Sequence, residues 1–273
     1  MTRMAGFCAN CSAPLSGRFC SACGQDSAPP PRSATRFLVR QTADLLGLDS
    51  RLAHTVRTLL LLPGALTCAF LEGHRIRYVT PLNLYFVFSG LFFFLHTLRP
   101  FVWYSPGANA LRSNLSAVSI GASLSADQLA RMHAAGVGPD VFAERFAAVA
   151  TALLPAFLLG SLILFSAGVW LANRRTLLGG VVHPVFALHW GSFYLALSSL
   201  DRLLAFAGVT SVRLAMAYTV LGLVYLVVAH RRVYRRSWGT TALQALGLLA
   251  WFYVLLATWL GSVMAVAAWM TIP

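Results

Sequence analysis

The chain contains no lysine. All 21 basic residues are arginine, set against only eight aspartates and glutamates. Charged residues make up 11% of the 273 positions while 58% are hydrophobic, and mean hydropathy is +0.70. A soluble domain carries about a quarter charged residues, so this scarcity excludes an ordinary water-soluble globule and points to a polytopic membrane protein. No acidic residue lies in the core of any predicted span. That argues against proton-coupled transport and against glutamate-dependent membrane proteolysis, both of which need an ionisable group at membrane depth. Ser161 and Ser192 follow glycines but complete no G-x-S-x-G turn and have no acid partner, so an enzyme ranks last among the function classes. The first 30 residues lack an apolar core and hold four of the five cysteines, so no secretory signal peptide is expected.

What is present is organised around residues 72–98, where a basic, aromatic stretch (EGHRIRYVTP) runs directly into an apolar one. From Leu82 to Leu98 the run has the length of a helix crossing a bilayer core, and Pro81 suits its first turn. Arg75, Arg77 and Tyr78 precede it as interface residues. They set topology, or they meet anionic lipid headgroups at the surface of the lipid bilayer.

Upstream, Cys8-Ala-Asn-Cys11 and Cys20-Ser-Ala-Cys23 form two C-x-x-C knuckles eight residues apart. Such a pair is the signature of a small zinc ribbon, with all four thiolates as metal ligands. Some 25 residues with so little apolar content cannot bury a core, so bound Zn must supply the folding free energy. Disulfides would need an oxidising compartment, and a thioredoxin-like redox pair would need a fold that is absent here. Four protein thiolates leave no open catalytic position, which makes the metal structural. With only Arg3 and Arg18 on the ribbon, no nucleic acid partner is expected, and a cytoplasmic protein partner is the natural alternative. Gly24 fits a left-handed position after the second knuckle, and Cys68 stands apart as a free thiol.

Pro29-Pro30-Pro31 marks a stiff linker closing a first unit of residues 1–31. Residues 32–78 form short amphipathic helices: Ser33 to Gly47, Arg51 to Leu62 broken by Pro63-Gly64, and Ala65 to Glu72 ended by Gly73. They are too short and too charged to span, and suit the interface or the underside of a bundle. Residues 79–273 form the membrane domain, with spans at about 82–98, 148–172 (kinked at Pro155), 181–200 (with a run past Asp201 and Arg202 to about 207), 212–229 and 242–268. An aromatic belt follows at 99–104, and a loop helix with a capping box at Ser125-x-x-Gln128. Five spans put the N-terminus inside and the C-terminus outside. Fifteen of the 21 arginines then fall on inside segments and six outside, the bias of a multi-pass protein of the bacterial inner membrane. The predicted fold class is thus an all-α polytopic membrane protein of about five transmembrane helices with a small N-terminal zinc ribbon.

The strings CANC…GRFCSACGQ, LLGLDSRLAHTVRTLLLLPG and FLEGHRIRYVTPLNLYF resemble the bacterial family known as domain of unknown function 3667, over about residues 7–98. The resemblance implies a four-cysteine ribbon, short helices, a Pro-Gly break and a membrane bundle, in that order. It implies no activity. A looser similarity, of topology alone, is to Yip1-type membrane proteins.

Within the bundle, His183 and His189 lie six residues apart and face different ways, with His189 expected to hydrogen-bond a neighbouring helix. His54, His74, His96 and His230 are expected at interfaces. Gly160, Gly168, Gly191, Gly222, Gly247 and Gly261 are candidates for close helix approach. Two functions fit. One is a non-catalytic scaffold or membrane sensor whose ribbon docks a cytoplasmic protein. The other is a transporter or channel for a lipid or small solute through a cavity lined by Asn83, His189 and Gln244. A dry bundle favours the first, a polar cavity the second.

Overall fold

The computed structural model describes residues 6–27, 51–98, 131, 134–136, 139–176, 179–209 and 212–271. The proline linker, the predicted helix over 33–47, the aromatic belt and the Ser125 capping box lie outside these residues. The described part is a cysteine ribbon followed by helices: α1 (Arg51–Leu61), α2 (Ala65–Glu72), α3 (Pro81–Leu98), α4 (Pro139–Asn173), α5 (Val182–Phe206), α6 (Val212–Tyr234) and α7 (Trp238–Thr271).

Local chemistry accounts for the boundaries. Pro63 stops α1, and Gly64 turns the chain at φ 77°. Gly73, at φ 97°, ends α2 by donating its N–H to Ala69 and Phe70 carbonyls, the glycine-dependent helix end. Pro81 opens α3 as expected. Pro155 lies inside α4, which starts earlier than expected, at Pro139. The run past Asp201 also occurs, with α5 continuing to Phe206.

Among the described residues, four stretches are long and apolar enough to cross a membrane: Pro81–Leu98, Ala147–Asn173, Met216–Tyr234 and Trp238–Val263. The expected third span is a helix of sufficient length, α5, but a more polar one, carrying His183, His189, Ser192, Ser198 and Ser199. Its position explains this. α5 is the hub of the bundle, packing most extensively along α3 and also against α1, α2, α4 and α6, and 14 of its 25 residues are buried. A helix surrounded by protein needs partners for its polar groups and not an apolar exterior. The outer helices show the reverse. Ile163 and Trp170 of α4, Met216 and Val220 of α6, and Leu243 and Val254 of α7 are all more than half exposed. An apolar surface of that extent is the signature of a lipid-facing belt.

Between lipid-facing helices, packing and hydrogen bonds replace the hydrophobic driving force. The bundle centre is filled by Trp190, ringed by Phe165, Phe193, Tyr225 and Phe252 with centroids 5.9–6.3 Å away. Gly191 lets Tyr85 and Leu162 approach, Gly168 admits Trp251, and Gly222 faces Trp190. Gly160, Gly247 and Gly261, also expected at close approaches, face open space.

Candidate functional site

The ribbon is two copies of one knuckle, offset by twelve residues: Phe7-Cys8-x-x-Cys11 and Phe19-Cys20-x-x-Cys23. In the first, Cys8 N–H donates to Ala13 O (2.8 Å) and Ser12 N–H to Cys8 O (2.9 Å). In the second, Cys20 N–H donates to Gln25 O (2.9 Å) and Gly24 N–H to Cys20 O (2.8 Å). Ser12 and Gly24 occupy the equivalent left-handed position, at φ 61° and 72°. Glycine takes that conformation at little cost, and serine is strained in it.

This symmetry brings the four sulfurs together. Cys8 Sγ lies 3.6 Å from Cys23 Sγ, Cys11 Sγ lies 3.6 Å from Cys20 Sγ, and all four fall within 4.8 Å of one another. Disulfide sulfurs sit about 2.05 Å apart, so the thiols are unbonded. A tetrahedral ion with metal–sulfur bonds of about 2.3 Å needs sulfurs roughly 3.8 Å apart, which these spacings fit. Ionisation is graded across the cluster. Burial raises the Cys8 thiol, but the N–H groups of Cys11 and Asn10 and the neighbouring thiols outweigh it and bring it to about 7. At Cys11 the Ala13 N–H favours the thiolate, yet Cys23, Cys20 and Cys8 crowd it and push it to about 12. Four thiolates at one point repel, and a bound cation removes that opposition.

The ribbon does not hang free. Gln25, buried in the fold, closes the second knuckle with its backbone and reaches the membrane junction with its side chain. Its Nε2 donates to Gly73 O (2.6 Å), and its Oε1 accepts from Arg75 N–H (3.2 Å). A primary amide can satisfy a carbonyl and an N–H at once. The rest of the junction is held by α1: Arg51 Nη1 donates to Ile76 O (3.3 Å), and Thr55 Oγ1 accepts from Val79 N–H (3.0 Å). His54 stacks on Tyr78 at 5.1 Å. Cysteine ribbon, short helices and first apolar helix therefore meet at residues 73–79.

Here the interface residues separate. Arg75 lies half-buried over the Phe70 ring, 5.9 Å from its centroid. Arg77 stays exposed, over Tyr78 at 5.7 Å and with its Nε 3.4 Å from His54 Nε2. The three cavity candidates lie on three different helices, α3, α5 and α7. Asn83 is buried in the first turn of α3. His189, fully enclosed on α5, pairs through Nδ1 with Thr67 Oγ1 of α2 at 2.9 Å, the expected bond to a neighbouring helix. Gln244 donates to Ala172 O at the end of α4 (2.7 Å). Two of the expected interfacial histidines, His96 and His230, are buried within the protein.

His230 belongs to a polar layer that sequence reasoning missed. Asn173 Nδ2 donates both to Val169 O (2.9 Å) and to His230 Nε2 (3.1 Å). His183 Nδ1 meets Tyr234 Oη at 3.0 Å. The only sequence signal was that His230 and Asn173 directly precede arginine pairs.

Residues 49–93 match the family described as a protein of unknown function (DUF3667). The match bears out the resemblance read from the sequence and covers α1, α2, the junction and most of α3. No curated protein and no solved structure matches the chain, so the looser likeness to Yip1-type proteins is not shown.

Proposed function

We propose that this is a non-catalytic membrane scaffold in which a structural zinc ion, held by Cys8, Cys11, Cys20 and Cys23, fixes the ribbon as a brace on the junction and presents it to a cytoplasmic protein. The observation that carries this reading is the Gln25 bridge. It ties a closed four-thiol centre to the start of the first apolar helix. The presenting surface is the pair of exposed rings at equivalent knuckle positions, Phe7 and Phe19. Nucleic acid is not the expected partner, because Arg18 is engaged by Asp26 at 3.3 Å and stacked on Phe19.

The protein sits in the bacterial inner membrane as five spans, α3 to α7, with the ribbon in the cytoplasm and Pro273 outside. The arginine bias supports this orientation. Support for scaffolding over transport comes from the bundle centre, where the Trp190 cluster fills the place a polar channel would need.

The test is recovery of bound proteins from native membranes with the full-length protein and with Phe7→Ser/Phe19→Ser, which leaves the thiols and Gln25 in place. The double variant should lose a specific cytoplasmic protein that the parent retains. An identical set of bound proteins would sink the ribbon-docking role.

Anionic headgroups are the expected lipid partners of Arg77, with Arg75 contributing less because it already packs on Phe70. Guanidinium can fork onto a phosphate, and ammonium cannot. Arg75→Lys/Arg77→Lys should therefore lower the anionic lipid retained on purification, read by native mass spectrometry, while leaving helix content unchanged. Unchanged retention would reduce these residues to a topology signal.

A further inference from the structure

We propose that α1 and α2 form a re-entrant hairpin whose tip, Leu60-Leu61-Leu62, is immersed among the acyl chains of the leaflet on the ribbon side. The inference rests on the membrane reading above and adds a second lipid-embedded element to it.

The exposed stripe of α1 changes character along its axis. Towards the start it shows His54 and Arg57, and towards the end Leu60 and Leu61, followed by Leu62. These leucines are 44%, 65% and 50% exposed. A helix lying flat at an interface is amphipathic across its axis. α1 is amphipathic across its axis too, with Thr55, Thr58 and Leu59 buried, but the grading of its exposed stripe along the axis suits descent into the membrane, tip first.

Packing sets the depth. At Gly64 the backbone lies against Ala229 of α6, so close that a Cβ would fall 2.8 Å from Ala229 O. Ala229 is five residues inside the end of α6, about 7–8 Å along the axis. Thr67 meets His189, seven residues inside the start of α5, about 10 Å along that axis. The turn is thus level with the last two turns of α6 and the first two turns of α5.

The backbone chemistry agrees. Non-helical chain at membrane depth is tolerated only where its polar groups are satisfied by protein. Leu62 O accepts from Ala65 N–H (3.0 Å), Gly64 O from Cys68 N–H (3.1 Å), and Pro63 O from Arg232 Nη1 (2.9 Å). Pro63 has no N–H to satisfy. The hydroxyls of Thr55 and Thr58 turn back onto Arg51 O and His54 O at 2.7 and 2.8 Å. The side chains the tip leaves most exposed are those of Leu60, Leu61 and Leu62.

The test is photocrosslinking of full-length protein carrying benzoylphenylalanine at one position, reconstituted in phosphatidylethanolamine–phosphatidylglycerol vesicles. Leu61 is compared with Val224, exposed at mid-helix on α6, and with Ser16, exposed on the ribbon. Positions 61 and 224 should give lipid adducts in comparable yield by mass, and position 16 none. Lipid adducts at 224 with none at 61 would overturn the immersed tip. So would crosslinking of 61 to a second protein chain. Failure at 224 as well would overturn the membrane reading, and the tip with it.

Discussion

If the four thiols hold the proposed zinc, the purified protein should carry one equivalent of it, and Cys11→Ser should lose that metal and unfold the ribbon. The ribbon has two isolated two-residue bridges, Phe7 to Pro14 and Phe19 to Asp26, and its rings point outward. Nothing in it resembles a hydrophobic core. Structural zinc contributes on the order of 10 kcal/mol in segments of this kind, so losing one of four thiolates removes most of what holds the fold. The effect should travel. Without the second knuckle, Gln25 no longer holds its side chain against Gly73 O and Arg75 N–H. Amide exchange at Arg75 should rise in Cys11→Ser, alongside metal loss measured by elemental analysis. Gln25→Ala separates the two events, because it should keep the zinc and still free the Arg75 amide. A native disulfide among the four cysteines would refute the metal centre outright.

The contrast between Cys11 and Gln25 shows what a sequence can disclose. Thiol spacing is local: two C-x-x-C knuckles state their chemistry within 16 residues, and the structure brings the sulfurs together. Gly73 and Pro81 were readable for the same reason, since each acts on its own backbone. Gln25 was visible only as the residue after a knuckle, because its partners lie 48 and 50 residues away. Thr67 and His189, 122 residues apart, are a stronger case. Hydropathy could delimit α5 but not place it. An apolar residue facing lipid and one facing another helix are chemically alike, whereas the polar residues of α5 mark it as the central helix only once its neighbours are known. The packing around Leu60 to Leu62 was hidden from the sequence for the same reason. Their exposure, and the contact of Gly64 with α6, are tertiary facts.

That contact carries the second large expected effect. Gly64→Ala should destabilise the bundle by roughly 2–4 kcal/mol, combining a left-handed backbone position with overpacking. Both terms apply here: φ is 77°, and the added carbon would sit 2.8 Å from Ala229 O and 2.9 Å from Ala229 Cα. The end of a flexible side chain in the way could rotate aside. Main chain inside a helix cannot move without shifting α6. The consequence is therefore displacement of α2 from α6 and loss of the Arg232 bond to Pro63 O, leaving a carbonyl unsatisfied at the tip. Gly247→Ala is the matched control, since its added carbon meets nothing within 4 Å and replaces glycine inside a helix. It should be neutral or stabilising by about 0.5–1 kcal/mol. Unfolding of both variants in the same detergent, followed by tryptophan fluorescence, decides the matter. Equal midpoints would mean that α2 is not wedged against α6. A selective loss at Gly64, accompanied by altered lipid crosslinking from position 61, would tie the hairpin's depth to this backbone contact.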